Sequence, residues 1–168
     1  YEIAKRTGIG RIAAMAKRFG LGAKLEVDLP GEKAGLIPTP KWKRGALDAP
    51  WHKGETLIVG IGQGYLLVTP LQLAVMTARI ANGGFAVVPR LTRSVSQDGV
   101  WTENIEASFE SLNLQPRHME IIRNSMIDVV NSPLGTAYKS RITEPGQEMA
   151  SKTGTVQVRR ISKSERES

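Results

Sequence analysis

The sequence predicts an α+β domain of mixed α/β character, and three observations carry that prediction. Two segments combine helical apolar periodicity with recognisable starts or stops, at 69–84 and 116–130. Residues 151–158, Ser-Lys-Thr-Gly-Thr-Val-Gln-Val, read as a strand because Thr153, Thr155, Val156 and Val158 are β-branched. Two shorter stretches carry strand signals on either side of a Gln97-Asp98-Gly99 turn. Helices outnumber strands, so the sheet is under-represented.

In chain order, residues 1–7 read as the end of a helix and Gly8-Ile9-Gly10 as a break. A second helix is expected from about Ile9 to Phe19, with Ile12, Met15, Ala16 and Phe19 on one face and Gly20 and Gly22 stopping it. From Leu25 to Gly60 proline and glycine recur, with a basic aromatic patch at Trp42 and Trp51. That stretch reads as a long structured loop, a kind usually packed over a site. Thr69 then suits an N-cap, Pro70 the first helical position, and Gln72 the reciprocal position of a capping box. The helix so started is expected to bury Leu73, Met76, Thr77 and Ile80 and to end at Gly83-Gly84. A short strand is expected over 85–92, with Pro89 placing it at an edge or an end, and another over 100–105. Residues 116–130 form the second clear helix, with Met119, Ile122, Met126 and Val129 inward. Met76, Met119 and Met126 read as core.

The 168 residues amount to one domain, long enough to bury roughly 70% of the unfolded surface if the chain is complete. The chain reads instead as an excised piece: it begins in the middle of a helix and stops in a polar run. Its formal net charge is +7, with a pI near 9.9. The basic residues are scattered, however, and three Trp, three Tyr and three Phe include no run interleaved with them as a base-stacking platform requires. A solvated basic surface is expected, and no nucleic-acid partner. Absence of cysteine excludes disulfides and thiolate chemistry. No apolar run approaches the length of a membrane span, and there are no internal repeats.

Chemistry concentrates at Lys152-Thr153-Gly154-Thr155. An ammonium flanked by two hydroxyls can hold a carboxylate by charge-assisted hydrogen bonds, each worth about 1.5–3 kcal/mol. Gly154 lets an extended ligand lie along the strand, and the Thr155 N–H can serve as an oxyanion donor. Other candidates are weaker. His52 and His118 are far apart in sequence and have no acidic neighbours at ligand spacing, so no metal is expected. Gly60-Ile61-Gly62-Gln63-Gly64 lacks the Gly-Lys-Ser/Thr ending of a phosphate loop and reads as a tight backbone element.

Five motifs then fall in register: Gly60-Ile61-Gly62-Gln63-Gly64, Val68 to Ala74, Ala81-Asn82-Gly83-Gly84, Gly135-Thr136-Ala137 and Ser151 to Thr155. In order and spacing they resemble the transpeptidase domain of class B penicillin-binding proteins, and Pro38-Thr39-Pro40, the Trp42 and Trp51 stretch and Gly62-Gln63-Gly64-Tyr65 resemble the elongation-type members. The resemblance runs from Tyr1 to about Ser162. It implies a partial transpeptidase domain over 1–168, with the antiparallel sheet and helices of the serine β-lactamase-like fold, incomplete at both ends. It also implies a serine acyltransferase that cross-links peptidoglycan stem peptides and is acylated by β-lactam antibiotics. Lys152 and Thr153 would position the substrate carboxylate and the proton-transfer network, with Gly154 on the ligand-facing edge; Thr155 would give an oxyanion-hole N–H and a hydroxyl contact. No cofactor is implied. The implied partners are cell-elongation membrane proteins, and the implied location is periplasmic on an inner-membrane anchor.

The chain departs from the family pattern by omission. No serine has a lysine three residues later; Ser94, Ser125 and Ser151 are followed there by Gln97, Asp128 and Gly154. The nucleophile, its lysine and the strands after the Lys-Thr-Gly strand are therefore expected outside the chain, and the chain alone is expected to be inactive. Ser111-Leu112-Asn113 imitates a Ser-x-Asn motif but sits where the family carries variable loop, so Ser111 is a decoy. A non-catalytic sensor or scaffold domain of the same fold is the alternative; it is distinguished by whether the upstream sequence keeps Ser-x-x-Lys.

Overall fold

Gly8 divides the first helical run into α1 (Glu2–Thr7) and α2 (Ile9–Arg18), as the Gly-Ile-Gly break predicts. The computed structural model describes residues 1–103 and 108–154. It forms two compact units, Tyr1–Met119 and Glu120–Ser168. In the first, the buried stripe of α2 is Ile9 and Ala13, with Ala16 beside it, while Met15 stays 41% exposed. Of the expected face, Ile12, Ala16 and Phe19 are half-buried and Met15 is exposed, so the stripe centres on Ala13. Ala13 is small enough to let Leu21 and Ile37 close onto the helix, and these three residues form a core that Leu66, Val68 and Met76 pack against.

The stretch expected as a long loop holds two short helices, α3 (Pro40–Leu47) and α4 (Lys53–Gly60). Thr39 caps α3 by accepting from the Trp42 N–H at 3.1 Å, with Pro40 first in the helix, the same start that Thr69-Pro70 signals. Glu55 accepts from the His52 N–H at 2.7 Å and so closes the start of α4. Gly45 and Gly54 inside two eight-residue helices weaken their periodicity, which is why the pattern reads as loop.

A polar clasp joins these helices. Lys43 Nζ lies 2.5 Å from Glu55 Oε1, with side chains 6% and 17% exposed. Burial opposes ionisation of Glu55, but the His52 N–H and the Lys43 ammonium outweigh it and hold the carboxyl below its usual range. The Trp51 indole donates to Thr56 Oγ1 at 2.9 Å, and Trp42 and Lys43 pack beside the Tyr65 ring. The basic aromatic patch is therefore a packing device, with Lys43 inside it. Gly60 is needed where α1 meets α4, since a Cβ there would collide with that of Ala4.

α5 (Pro70–Ala81) starts with the predicted capping box, Thr69 and Gln72 exchanging two bonds of 3.1 Å. Its buried residues are Gln72 and Val75, whereas Leu73 is 38% exposed and Thr77 is exposed; Met76 and Ile80 are half-buried. The helix turns this way because the fully enclosed Gln72 also donates to Ala23 O at 2.7 Å and Ala34 O at 2.9 Å.

The strand expected over 85–92 does not form; only Phe85 pairs, in an isolated bridge with Ser111. Side chains take several of its backbone groups instead. Arg79 donates to Val87 O, and Asp28 accepts from the Leu91 and Thr92 N–H groups at 2.7 and 2.8 Å. The Thr92 hydroxyl and these two N–H groups hold the Asp28 carboxyl down at about 2. Beyond it, β1 (Ser94–Gln97) and β2 (Val100–Glu103) pair antiparallel across the expected Asp98-Gly99 turn, with Ser94 opposite Glu103 and Gln97 opposite Val100. Positive φ at both turn residues matches the twist of a tight hairpin. The predicted strand thus appears as β2 up to Glu103; Asn104 and Ile105 lie outside the described residues. The hydroxyl-rich β1 carried too little apolar alternation to be read as a strand.

α6 (Pro116–Asn131) occupies its predicted span. Met119 and Val130 are buried and Met126 and Val129 half-buried, but Ile122 is 39% exposed.

Candidate active site

The second unit assembles its polar groups on the C-terminal half of α6. Ser151 N–H donates to Met126 O at 3.0 Å, and Asn131 Nδ2 donates to Met149 O and Ile127 O, each at 2.9 Å. These bonds fix the segment that leads into Lys152. The turn after α6 is fixed to the same helix. Gly135 N–H donates to Ser132 O at 2.8 Å and Ala137 N–H to Val129 O at 2.9 Å. Gly135 presses so closely on the Asp128 and Val129 carbonyls that a Cβ there would collide with both. A single turn of 3₁₀-helix, Tyr138–Ser140, follows, with the Arg141 guanidinium 3.9 Å from the Tyr138 ring centroid.

The two segments bring three polar side chains together. Lys152 Nζ donates to Thr153 O at 2.7 Å and stands 3.4 Å from Thr153 Oγ1, and Thr136 Oγ1 lies 3.4 Å from the same hydroxyl. Lys152, Thr153 and Gly154 are exposed, and a Cβ built at Gly154 meets no atom within 4 Å. A cation, two hydroxyls and open space beside a glycine suit an incoming anionic extended ligand. Next to Thr136 a shallow depression of ≈310 Å³ is lined by Ser125, Asp128, Val129, Ser132, Leu134 and Gly135. Residues 151–154 are not paired in a strand, and no ladder partner for them exists among the described residues. Thr155, and with it the predicted oxyanion donor, lies outside the described residues, as do Val156 to Val158.

The remaining candidates are placed elsewhere. His52 is the N-cap of α4 and His118 is exposed in the first turn of α6. Ser111 Oγ accepts from the Asn113 N–H at 3.1 Å in a local turn. The Gly-Ile-Gly-Gln-Gly run closes α4 and turns back through positive φ at Gly62 and Gly64. Thr136 is the neighbour that residue-by-residue reading missed; its signal was the unexplained Gly135-Thr136-Ala137 motif.

A family model described as the penicillin binding protein transpeptidase domain matches residues 1–167. Among curated proteins, the peptidoglycan D,D-transpeptidase MrdA of Acinetobacter baumannii is 38% identical over 167 residues, 99% of this chain and 24% of that protein. MrdA of Escherichia coli is 35% identical over 161 residues, 94% of this chain and 25% of that protein. Among solved structures, Pseudomonas aeruginosa PBP2 in complex with WCK 5153 is similar with a TM-score of 0.74 and 40% identity, over 83% of this chain and 31% of that one. The Helicobacter pylori complex of PBP2 with MreC gives a TM-score of 0.73 and 29% identity, over 86% of this chain and 26% of that one. The chain spans about a quarter of the length of its curated relatives.

Proposed function

The chain belongs to the penicillin binding protein transpeptidase family, of the PBP2 (MrdA) type, and from that membership we propose that it is the Lys-Thr-Gly section of a peptidoglycan D,D-transpeptidase working through a serine acyl-enzyme. The observation that carries this reading is the exposed Lys152-Thr153-Gly154 edge, held on α6 beside a second hydroxyl. A serine supplied by the rest of the protein attacks the carbonyl of a stem peptide, with an upstream lysine taking its proton. Lys152 and Thr153 hold the terminal carboxylate, Gly154 leaves room for the extended peptide, and the Thr155 N–H stabilises the oxyanion. The peptide bond to the terminal residue breaks, that residue leaves as its amine takes up the proton, and the amine of a neighbouring stem peptide then takes the acyl group from the serine. A β-lactam enters by the same attack and remains covalently bound.

On this reading 1–168 is a partial transpeptidase domain, and the nucleophile lies elsewhere in the protein. The chemistry calls for no metal or organic cofactor. The MreC complex of the Helicobacter pylori neighbour favours partners among the cell-elongation membrane proteins. Membership of the same family supports a periplasmic domain on an inner-membrane anchor; among the described residues no helix is long and apolar enough to cross a membrane.

Intact-mass spectrometry of the full-length protein after penicillin treatment, with the 168-residue chain as control, tests the proposal. One adduct per protein, mapped to a serine outside these residues and absent from the control, is expected. A folded full-length protein that takes no adduct would overturn the acyltransferase reading in favour of a scaffold, and an adduct on the isolated chain would overturn the placement of the nucleophile.

A further inference from the structure

We propose that Thr136 is a positioning residue for ligand recognition: its hydroxyl sets the direction of the Thr153 hydroxyl, so that Thr153 presents its proton to the ligand carboxylate held by Lys152. This rests on the acyl-transfer reading above and adds to it a residue outside the Lys-Thr-Gly run.

Thr153 Oγ1 carries one proton and accepts through two lone pairs. The Lys152 ammonium stands 3.4 Å from that oxygen and Thr136 Oγ1 stands 3.4 Å from it. When Lys152 donates into one lone pair and the Thr136 O–H into the other, the Thr153 proton is left to point outward, over the open side at Gly154. Without the Thr136 hydroxyl, water takes its place and the Thr153 rotor is no longer held. Both separations are long for hydroxyl hydrogen bonds, and a carboxylate engaged by Lys152 and Thr153 would draw the three groups together.

The approach of the two threonines is built into the backbone. Thr136 is flanked by Gly135, which packs on the Asp128 and Val129 carbonyls, and by Ala137, whose N–H is bonded to Val129 O. Thr153 follows Ser151, whose N–H is bonded to Met126 O. Both hydroxyls are thus referenced to the same two turns of α6, although 17 residues separate them in sequence. Exposed threonines with independent supports would have no such common origin.

The test uses the full-length protein, and acylation rates with a fluorescent penicillin as the free acid and as its methyl ester. Thr136→Val removes the hydroxyl at constant shape and is expected to slow acylation by the acid about tenfold, the lower end of what one charge-assisted hydrogen bond is worth. Acylation by the ester, which offers no carboxylate, should change less than about twofold, and Thr136→Ser should restore the acid rate. Thr136→Val should add nothing to Thr153→Val in the double variant, since both act through one hydroxyl. Thermal melting checks that the variants fold, and Thr136→Ala serves the same comparison if the valine does not. Equal slowing of acid and ester, no slowing at all, or failure of Thr136→Ser to rescue would overturn the role of Thr136 while leaving acyl transfer intact. A wild-type protein that takes no adduct would overturn the acyl-transfer reading itself, and this inference with it.

Discussion

Replacing Gln72 by leucine should loosen α5 by about 3 kcal/mol. The side chain is fully enclosed, donates to Ala34 O and Ala23 O, and accepts from the Thr69 N–H. Leucine keeps most of the volume, so no large cavity opens; what is lost is satisfaction of polar groups. A carbonyl left without its donor costs about 1–3 kcal/mol. Ala34 is half-buried and takes the middle of that range, about 2 kcal/mol, whereas Ala23 is exposed and its carbonyl rehydrates at little cost. The lost return bond of the capping box adds about 0.5–1 kcal/mol. Hydrogen-exchange mass spectrometry of the peptide covering 69–81 in the full-length protein reads this directly, as roughly a hundredfold faster exchange. Gln72→Glu is the sharper variant, because it sets a carboxylate against two carbonyl oxygens. Burial and those carbonyls raise the folded pKa of the new acid, so its stability is retained below the unfolded pKa and lost as pH rises through the folded value. It should therefore be tighter at pH 5 than at pH 8, while the leucine variant shows no such trend. A leucine variant that exchanges within threefold of wild type, or a glutamate variant equally protected at both pH values, would refute this role of Gln72.

Three further outcomes follow from the same geometry. The Asp28 carboxyl is held down at about 2 against an ordinary value of 3.8, so protection of the Leu91 and Thr92 amides should hold above 3.8 and fall away as pH approaches 2; amide-exchange NMR should show this window in wild type and lose it in Asp28→Asn. Lys43→Met strands the Glu55 carboxylate, 17% exposed, and should cost about 2–4 kcal/mol in urea denaturation, below the full cost of breaking a buried pair because Glu55 still reaches water. Adding Glu55→Gln should recover part of that loss. Gly135→Ala drives a Cβ into the Asp128 and Val129 carbonyls and should cost about 1–3 kcal/mol while slowing penicillin acylation, because the backbone that carries Thr136 must move; unchanged melting and acylation would show that the close approach is not required.

Where local chemistry decides structure, the sequence was legible. Thr69-Pro70-x-Gln72 announces a capped helix because the two side chains satisfy each other's backbone N–H groups within four residues, and Asp98-Gly99 announces a turn because both positions need positive φ. What failed depended on partners far along the chain. A periodicity argument assigns apolar residues inward, but α5 is oriented by a glutamine whose acceptors lie 49 and 38 residues away. The 85–92 stretch has the composition of a strand, yet Arg79 and Asp28 occupy its carbonyl and amide groups, and Asp28 lies 63 residues before Leu91. Polar side chains thus override binary patterning where they carry several backbone groups at once.

The candidate site divides along the same line. Lys152, Thr153 and Gly154 stood out as candidates because a cation beside a hydroxyl and a glycine can hold a carboxylate, and because the run falls in register with four other motifs. Thr136 was not, because nothing within its own tripeptide needs a hydroxyl. Its meaning arises only once α6 serves as a common ruler for residues 135–137 and 149–151. Gly135 is the point at which that ruler is read: it is the residue whose missing side chain lets the turn seat on the carbonyls of Asp128 and Val129. The depth of that seating fixes how far Thr136 reaches toward Thr153. The glycine is therefore part of the same device as the two hydroxyls, although it offers the ligand no atom of its own, and displacing it should alter carboxylate recognition as surely as removing the hydroxyl it positions.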